Sequence, residues 1–473
     1  MDKKFITLIK DIIIFAIGTI GSKMVLFILV PLYTNCLSPD EYGVADLVFT
    51  LSQLLLPFLC LGIYHAVIRF GLDKNENADN ILMCGIFIAL IGMLFIVCLT
   101  PVIGLYSNLR QWRWYFCTYV ILQMFYSIFQ NYAKAIGKNK IYSIVSIIYT
   151  FVLALLNVWF LLYKNWGIRG YLMANVLATA AAVLILMIVC KIFTLNRRAN
   201  FSVAILKKML KYSMPLILDG AIWWIIQSSN KLFVENFLGS EQLGFYTVAT
   251  KIPALMYIVV TIFSQAWGIS AIREVDNEND NHFYNNIFSI YVNLTFFICI
   301  CLVAIIKPFM SIYVNETYFS SWKYIPLLLA GNAFLSIADF FGVFYNALKK
   351  PVKNMLVSLV SAIVSVLISV LLMKYIGIWA AVISTFFAYF ILMWVRLIDI
   401  KKYIHIKINW RLFLFNQLLL IVFSILIVLD FHISIISAVV IFLFLIANRK
   451  IILRIVKKLI TMIRGIGNNG RNI

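Results

Sequence analysis

Long apolar stretches follow one another along nearly the whole chain, separated by short polar segments. A helix rises about 1.5 Å per residue, so roughly 20 apolar residues cross the ~30 Å hydrocarbon core of a bilayer. The pattern therefore predicts an all-α polytopic membrane protein with about 14 transmembrane helices. The predicted spans are Ile12–Pro31, Val44–Ile63, Ile81–Leu105, Trp114–Ala135, Ile141–Leu162, Tyr171–Phe193, Pro215–Leu238, Phe245–Ser270, Tyr284–Ile306, Ile325–Ala347, Met355–Tyr375, Ile378–Leu397, Leu412–Leu429 and Ile433–Ala447.

Several segments between the spans recur six spans later. Leu37–Gly43 links spans one and two, and Leu238–Gly244 links spans seven and eight at an offset of 201 residues. Similar short segments bracket spans five and eleven: Ala135–Lys138 with Gly167–Gly170, and Ala347–Lys350 with Gly377–Ala380. Because equivalent spans six apart cross the membrane in the same direction, the pattern indicates a parallel repeat. The alternative is a chance match of short loops rich in glycine and charge.

The repeat predicts two pseudo-symmetric six-helix lobes, residues 1–195 and 212–405, with two further C-terminal helices in residues 406–448. Residues 196–211 form an amphipathic linker, which we expect to be a short helix on the membrane surface. The tail, residues 449–473, is basic and amphipathic. Since Arg454, Lys457 and Lys458 share one face of it, we expect the tail to bind anionic lipid.

Composition and charge support the membrane assignment. The chain is 63% hydrophobic with a mean hydropathy of +0.97, outside the range of soluble domains. A net charge of +21 raises the possibility of nucleic-acid binding. However, thirty of the 40 Lys and Arg residues fall on one side of the predicted spans and seven on the other. This asymmetry is the positive-inside rule, which predicts two cytoplasmic termini and no nucleic-acid partner. The first apolar stretch lacks a cleavage motif and is expected to stay as a span.

Polar side chains recur on one face of spans one, two, four, seven, eight and ten. Interhelical hydrogen bonding explains single Ser and Thr residues. It explains Lys23, Lys231 and Lys251 poorly, because they have few acidic partners at matching depth. An ionised side chain in the bilayer normally faces a partner or a wet cavity. We therefore predict a water-filled, cationic cavity between the lobes, with Arg69 at its cytoplasmic mouth.

A cationic cavity favours an anionic substrate, and flexible ammonium groups suit phosphate oxygens. Polar side chains nearby would bind hydroxyl groups: Gln227, Asn230 and Gln265. The acidic residues Asp219 and Asp339 are candidates for ion coupling or for balancing the lysines. Lys231 could instead pair with Asp219 or Glu235.

Two prolines interrupt corresponding spans. Pro57 lies in span two and Pro253 in span eight. Breaks in corresponding helices of a repeat indicate a binding site or hinges. The cysteines and histidines carry no such signal. The eight cysteines show no CxxC spacing and the four histidines are scattered, so we expect no metal, cofactor or disulfide framework.

An ordered set of short motifs resembles a known family. The motifs are Tyr212–Pro215, Leu238–Gly239, Gly244–Tyr246, Phe263–Trp267 and Glu274. Together they resemble polysaccharide flippases, the Wzx-like branch of the multidrug/oligosaccharidyl-lipid/polysaccharide (MOP) exporter superfamily. The family often has Asp-Arg where this chain has Asn230-Lys231, so the cation is kept and its acidic neighbour is lost.

The resemblance implies two helix bundles arranged as a V, plus two extra helices. It also implies transport of an undecaprenyl-diphosphate-linked O-antigen or capsule repeat unit across the bacterial cytoplasmic membrane. The polysaccharide polymerase machinery is then an expected partner.

Two other functions remain as alternatives. An ion-coupled exporter of small molecules, like the related multidrug exporters, would need acidic residues inside the first lobe, where Asp46 is the sole candidate. A membrane-bound polymerase or glycosyltransferase would need a large outer loop. The longest outer loop, around Lys307–Trp322, is too short, so we do not expect an enzyme.

Overall fold

The computed structural model describes residues 24–73, 76–197, 200–275, 281–348, 350–404, 406–430, 432–449, 451 and 453. These residues are overwhelmingly helical. Eleven helices are long and apolar enough to cross a membrane, and two shorter apolar helices accompany them. The remaining predicted span is a helix with many polar side chains, Arg113–Ala135. The expectation of an all-α polytopic membrane protein is confirmed.

The helices follow the predicted order. In chain order they are α1 (Met24–Cys36), α2 (Pro39–Leu59), α3 (Ile63–Gly71), α4 (Ala78–Ile103), α5 (Ser107–Arg110), α6 (Arg113–Ala135), α7 (Asn139–Val158), α8 (Gly167–Val189), α9 (Val203–Leu238), α10 (Ser240–Val275), α11 (Asn281–Tyr313), α12 (Ile325–Ala347), α13 (Pro351–Ile376), α14 (Ile378–Ile400), α15 (Trp410–Val428) and α16 (Ile433–Ala447). A π-helical turn, Trp159–Tyr163, extends α7, and 3₁₀ segments lie at Ile192–Arg197 and Glu316–Tyr324.

The helices pack into two bundles. We call α2–α8 the first lobe and α9–α14 the second lobe; α15 packs on α11 and α12, and α16 packs on α11 and α15. In the second lobe, stacked rings join α10 to α12. Trp267 is fully buried and its ring centroid lies 4.7 Å from that of Phe340. Large apolar side chains stay exposed on the outer surfaces of both lobes, as expected for helices that face lipid.

The predicted helix of the linker does not exist as a separate element. Residues 203–211 are the first turns of α9, which continues to Leu238. Ser202 caps its start, since the Ile205 amide donates to the Ser202 hydroxyl at 3.4 Å. Leu206 and Met209 are buried where α9 packs on the first lobe. Part of the apolar face of the linker is therefore covered by protein. The basic tail, residues 454–473, lies outside the described residues.

The two prolines differ in their effect. After Pro57 the chain leaves the helix through Leu61 and Gly62, both with positive φ (49° and 60°), so the break in span two is confirmed. The prediction of a break at Pro253 is wrong, because α10 runs unbroken from Ser240 to Val275. The predicted outer loop is also shorter than expected, since α11 extends to Tyr313 and a 3₁₀ segment follows.

Candidate functional site

The two lobes meet where α2 crosses α10. We call the membrane side at which both helices begin the Pro39 face, and the opposite side the Arg69 face. A Cβ atom at Gly43 would overlap the carbonyl oxygen of Ser240, and one at Gly244 would overlap that of Pro39. Gly43 and Gly244 are 201 residues apart, and so are Pro39 and Ser240. The two close contacts therefore mirror each other in the predicted repeat. Small residues at a crossing let helix backbones approach closely, and the crossing closes the Pro39 face.

One turn below the glycines lies a charged network that joins the lobes. Asp46 of α2 has 9% of its side chain exposed. Its carboxylate lies 2.8 Å from Nζ of Lys231 and 3.8 Å from Nζ of Lys251. The Thr247 hydroxyl donates to the same carboxylate at 3.0 Å. The lysines belong to α9 and α10, so the first lobe supplies the anion and the second lobe supplies both cations.

For Lys231 and Lys251, this network corrects the expectation of few acidic partners at matching depth. Asp46 lies at their depth, and Lys231 pairs with it rather than with Asp219 or Glu235. Glu235 instead accepts from Ser240 at 2.9 Å and from Asn108. Asp46 and Thr247 are also 201 residues apart, the offset of the repeat. The two residues therefore occupy equivalent positions of the predicted repeat.

The lysine pair lines a cavity of about 250 Å³ within the second lobe. We call it the lysine chamber. It is bounded by α9, α10, α12 and α14. Its polar lining includes Gln227, Ser228, Thr250, Tyr257, Asn332 and Tyr389. Lys251 also lies 5.7 Å above the centroid of the Tyr42 ring in the first lobe. Two ammonium groups with one shared carboxylate give the chamber a positive balance.

Further contacts seal the Pro39 face around this network. The Tyr318 hydroxyl donates to the carbonyl of Leu37 at 3.0 Å, and the Tyr313 hydroxyl to that of Phe27 at 2.8 Å. On the Arg69 side, the described residues also form hydrogen bonds between the lobes. These bonds involve the first half of α9 or the segment just before it. For example, the Ser213 hydroxyl donates to the carbonyl of Leu61 at 2.7 Å. On the Arg69 side the lobes are therefore joined by α9, whereas at the Pro39 face they are joined by α10, α11 and the 3₁₀ segment that follows α11.

A second cavity, of about 350 Å³, lies in the second lobe toward the Arg69 face. Arg396 lies at the end of the predicted span Ile378–Leu397, one turn before the end of α14 at Ile400, and it is only 1% exposed. Its Nη1 donates to Asp339 at 3.2 Å and to the carbonyl of Ala338 at 3.0 Å. Asp339 thus has an internal cation as partner. Residue spacing alone gave no signal for this pair, because Asp339 and Arg396 lie on different helices, α12 and α14.

The remaining predicted site residues are dispersed. Gln227 lines the lysine chamber as expected. Arg69 is exposed in the last turn of α3, and Asp219 is half-buried on α9. Lys23 lies outside the described residues, and the side chain of Gln265 is likewise not described.

Asn230 is a correction. It is 2% exposed and its amide is used up inside the second lobe. It donates to Thr385 at 2.9 Å and accepts from Ser384 at 3.3 Å and from Ser369. The amide nitrogen and oxygen of Asn230 thus form hydrogen bonds between helices instead of binding sugar hydroxyl groups. No cluster of His, Cys, Asp or Glu able to hold a metal ion occurs among the described residues.

Comparison with known proteins adds the family. The profile of a family described as polysaccharide biosynthesis protein matches residues 8–269. No curated protein matches the chain. Among solved structures, the lipid II flippase MurJ in an inward closed conformation is 14% identical, with 93% of this chain and 100% of that chain covered and a TM-score of 0.69.

Two other structures are similar. An inward-facing multidrug resistance MATE family transporter of the MOP superfamily is 14% identical, covering 84% of this chain and 98% of that one, with a TM-score of 0.67. A MOP superfamily transporter from Pyrococcus furiosus, with a binding pocket of reversed polarity, is 15% identical over 83% and 96% of the two chains, with a TM-score of 0.59. The family match spans more than half of the chain and the structures share its architecture, so this protein belongs to the polysaccharide biosynthesis protein family and has the fold of the MOP superfamily.

Proposed function

We propose that this protein is a flippase. It moves a polyprenyl-diphosphate-linked oligosaccharide repeat unit, carried on undecaprenyl in bacteria, between membrane leaflets by alternating access. Lys231 and Lys251 receive the diphosphate, and no covalent chemistry takes place. The repeat unit serves assembly of a surface polysaccharide such as O-antigen or capsule.

The observation that carries this proposal is the Asp46 carboxylate between two lysines of the other lobe. A carboxylate engages these ammonium groups with two oxygens, whereas a diphosphate brings more charge and more acceptor oxygens. Asp46 therefore stands in for the substrate while the Pro39 face is closed. Exchange of Asp46 for the diphosphate would free α2 from α9 and α10, which links substrate binding to opening.

The orientation follows from the charge asymmetry of the sequence. With the Arg69 face cytoplasmic, closure at the Pro39 face leaves the lysine chamber to be loaded from the cytoplasmic leaflet. Both termini are then cytoplasmic and the membrane is the bacterial inner membrane. Arg69 attracts the anionic headgroup at the entrance, and the polymerase machinery and anionic lipid are the expected partners.

The decisive experiment measures the lipid-linked oligosaccharide pool by leaflet in cells with and without the protein. We expect loss of the protein to leave complete repeat units in the cytoplasmic leaflet and to remove surface polymer. Lys231→Gln and Lys251→Gln should reproduce this loss while the protein still inserts. The matched control is Lys374→Gln, since Lys374 is exposed on α13 beside Phe237.

Other outcomes point elsewhere. Normal sidedness with incomplete or unpolymerised units would indicate an enzyme of polysaccharide assembly. An unchanged pool in the presence and absence of the protein would favour an ion-coupled exporter of small molecules. Full transport by both Gln variants would remove the lysines from the substrate site.

A further inference from the structure

The second cavity of the second lobe has the features of a binding site in its own right. We call it the Trp223 chamber. It measures about 350 Å³, within the range of ~300–1,000 Å³ typical of small-molecule sites. Helices α9, α10, α12, α13 and α14 all contribute to it. It is thus built on the rigid body of one lobe and does not depend on how the lobes meet.

Three residues that line this chamber each have a buried polar atom without a partner in the described structure. These atoms are Nε of Arg396, Oγ of Ser264 and Oδ1 of Asn354. They offer two kinds of donor and two acceptors from three different helices. Burying such groups unpaired costs roughly 1–3 kcal/mol each, so a polar ligand that these side chains reach after a change of rotamer is favoured. Water alone would satisfy them less specifically.

Aromatic rings form the other part of the lining. Trp223 and Tyr257 both face the chamber. The guanidinium of Arg396 lies 5.4 Å from the centroid of the Trp223 ring, which fixes the indole in place. Aromatic faces beside hydroxyl-sized donors and acceptors are the combination that suits a sugar ring, which has apolar C–H faces and a polar rim.

The charge of the chamber selects among sugars. Its ionisable lining residues are Asp339 and Arg396, which pair with each other at 3.2 Å. One negative and one positive group cancel, in contrast with the positive lysine chamber. An acidic sugar would meet Asp339, and an amino sugar would compete with Arg396. The balance favours an uncharged sugar.

The two chambers are neighbours. Tyr257 lines both of them, and it follows Lys251 by about one and a half turns of α10. A ligand with a diphosphate at Lys251 would extend past Tyr257 into the Trp223 chamber. We propose that the Trp223 chamber binds an uncharged sugar of the repeat unit, next to the diphosphate site; this inference rests on the proposed flippase function.

Binding of two separate probes to the full-length protein in phosphatidylethanolamine/phosphatidylglycerol nanodiscs tests the assignment. One probe is the oligosaccharide released by mild acid from the lipid-linked pool of cells that make the protein. The other is inorganic pyrophosphate. We expect Trp223→Ala to weaken oligosaccharide binding at least tenfold, and Ser264→Ala and Asn354→Ala to weaken it severalfold. Pyrophosphate binding should stay unchanged in all three variants.

Controls make the result specific. Trp223→Phe keeps an aromatic face and should retain most oligosaccharide affinity, which separates loss of stacking from misfolding. Trp159→Ala removes an exposed indole of the first lobe that stacks near Tyr163, and it should bind like the wild type. Oligosaccharide affinity should also be insensitive to salt, because an uncharged ligand makes no ion pair.

Unchanged oligosaccharide affinity in Trp223→Ala would overturn the inference, as would a strong salt dependence. The proposed function fails differently. Suppose that Lys231→Gln and Lys251→Gln leave pyrophosphate binding intact while Trp223→Ala abolishes oligosaccharide binding. The Trp223 chamber is then supported as a sugar site, and the proposed diphosphate site is wrong.

Discussion

Asp46 is a buried carboxylate whose partners all come from the other lobe. A buried charge must be paired, and removing one partner is costly because it leaves the others unpaired. Asp46 therefore has two effects at once. It stabilises the closed Pro39 face, and it competes with any anion for the lysines.

This competition gives a prediction for Asp46→Asn. The variant should have a lower thermal stability than the wild type, since Lys231 and Lys251 then repel each other without a counterion. It should also bind pyrophosphate about tenfold more tightly, which corresponds to ~1.4 kcal/mol. Thermal unfolding with increasing pyrophosphate measures both quantities, with Asp430→Asn, an exposed acidic residue paired with Lys307, as the control. Weaker pyrophosphate binding by Asp46→Asn would contradict the role of Asp46 as a stand-in anion.

Asn230 provides the opposite case, a polar residue used for packing. Asn230→Ala removes hydrogen bonds that join α9 to α13 and α14. Such bonds contribute about 0.6 kcal/mol each in membrane proteins, at most ~1.7. We expect a lower melting temperature and unchanged affinity for pyrophosphate and for the released oligosaccharide. If Asn230→Ala loses ligand affinity but not stability, Asn230 is a ligand-binding residue.

At the scale of elements, the crossing of α2 and α10 decides whether the Pro39 face closes. In both contacts the glycine faces a backbone carbonyl group. A backbone group cannot move aside as a flexible side chain can, so a larger residue would push the helices apart. The capping box at the start of α2 fixes the approach, since Ser38 and Glu41 bond each other's backbone amides at 3.2 and 3.0 Å.

We predict that Gly43→Ala and Gly244→Ala hold the Pro39 face open. With a cysteine at position 250 in a chain without native cysteines, labelling by a membrane-impermeant thiol reagent from the Pro39 side should increase severalfold. Gly220→Ala is the matched control, because a Cβ there meets no atom within 4 Å. Equal labelling of all three variants would show that the crossing is not the gate.

Elements were largely predictable, because apolar length and turn chemistry act locally. Both bounds of α12 and both bounds of α16 coincide with the predicted ones. Contacts between elements were harder. The continuity of α9 depends on burial of Leu206 and Met209 by the first lobe, and the burial of Arg396 depends on its contacts with α12 and α13. Neither tertiary contact has a local signal.

At the scale of the molecule, the two lobes differ at the point where they meet. Asp46 and Thr247 occupy equivalent positions and touch each other at 3.0 Å. The predicted repeat would place its pseudo-symmetry axis between them, and the acidic group could then be supplied from either side of the axis.

We predict that the exchange Asp46→Thr with Thr247→Asp retains substantial transport, whereas Asp46→Thr alone loses most of it. The carboxylate of the double variant would still lie between Lys231 and Lys251. Leaflet-resolved pools of lipid-linked oligosaccharide provide the measurement. If the double variant is as inactive as the single one, the carboxylate must belong to the first lobe.

The position of Asp46 and Thr247 on the predicted axis also constrains how such a chain arises from a duplicated gene. Two identical copies would place the same residue against itself: acid against acid, with repulsion, or threonine against threonine, with no counterion for the lysines. A resident anion that a passing substrate can replace requires the two copies to have diverged at this pair. Divergence at this pair gives the two halves different roles: the first half supplies the anion and the second half supplies the cations.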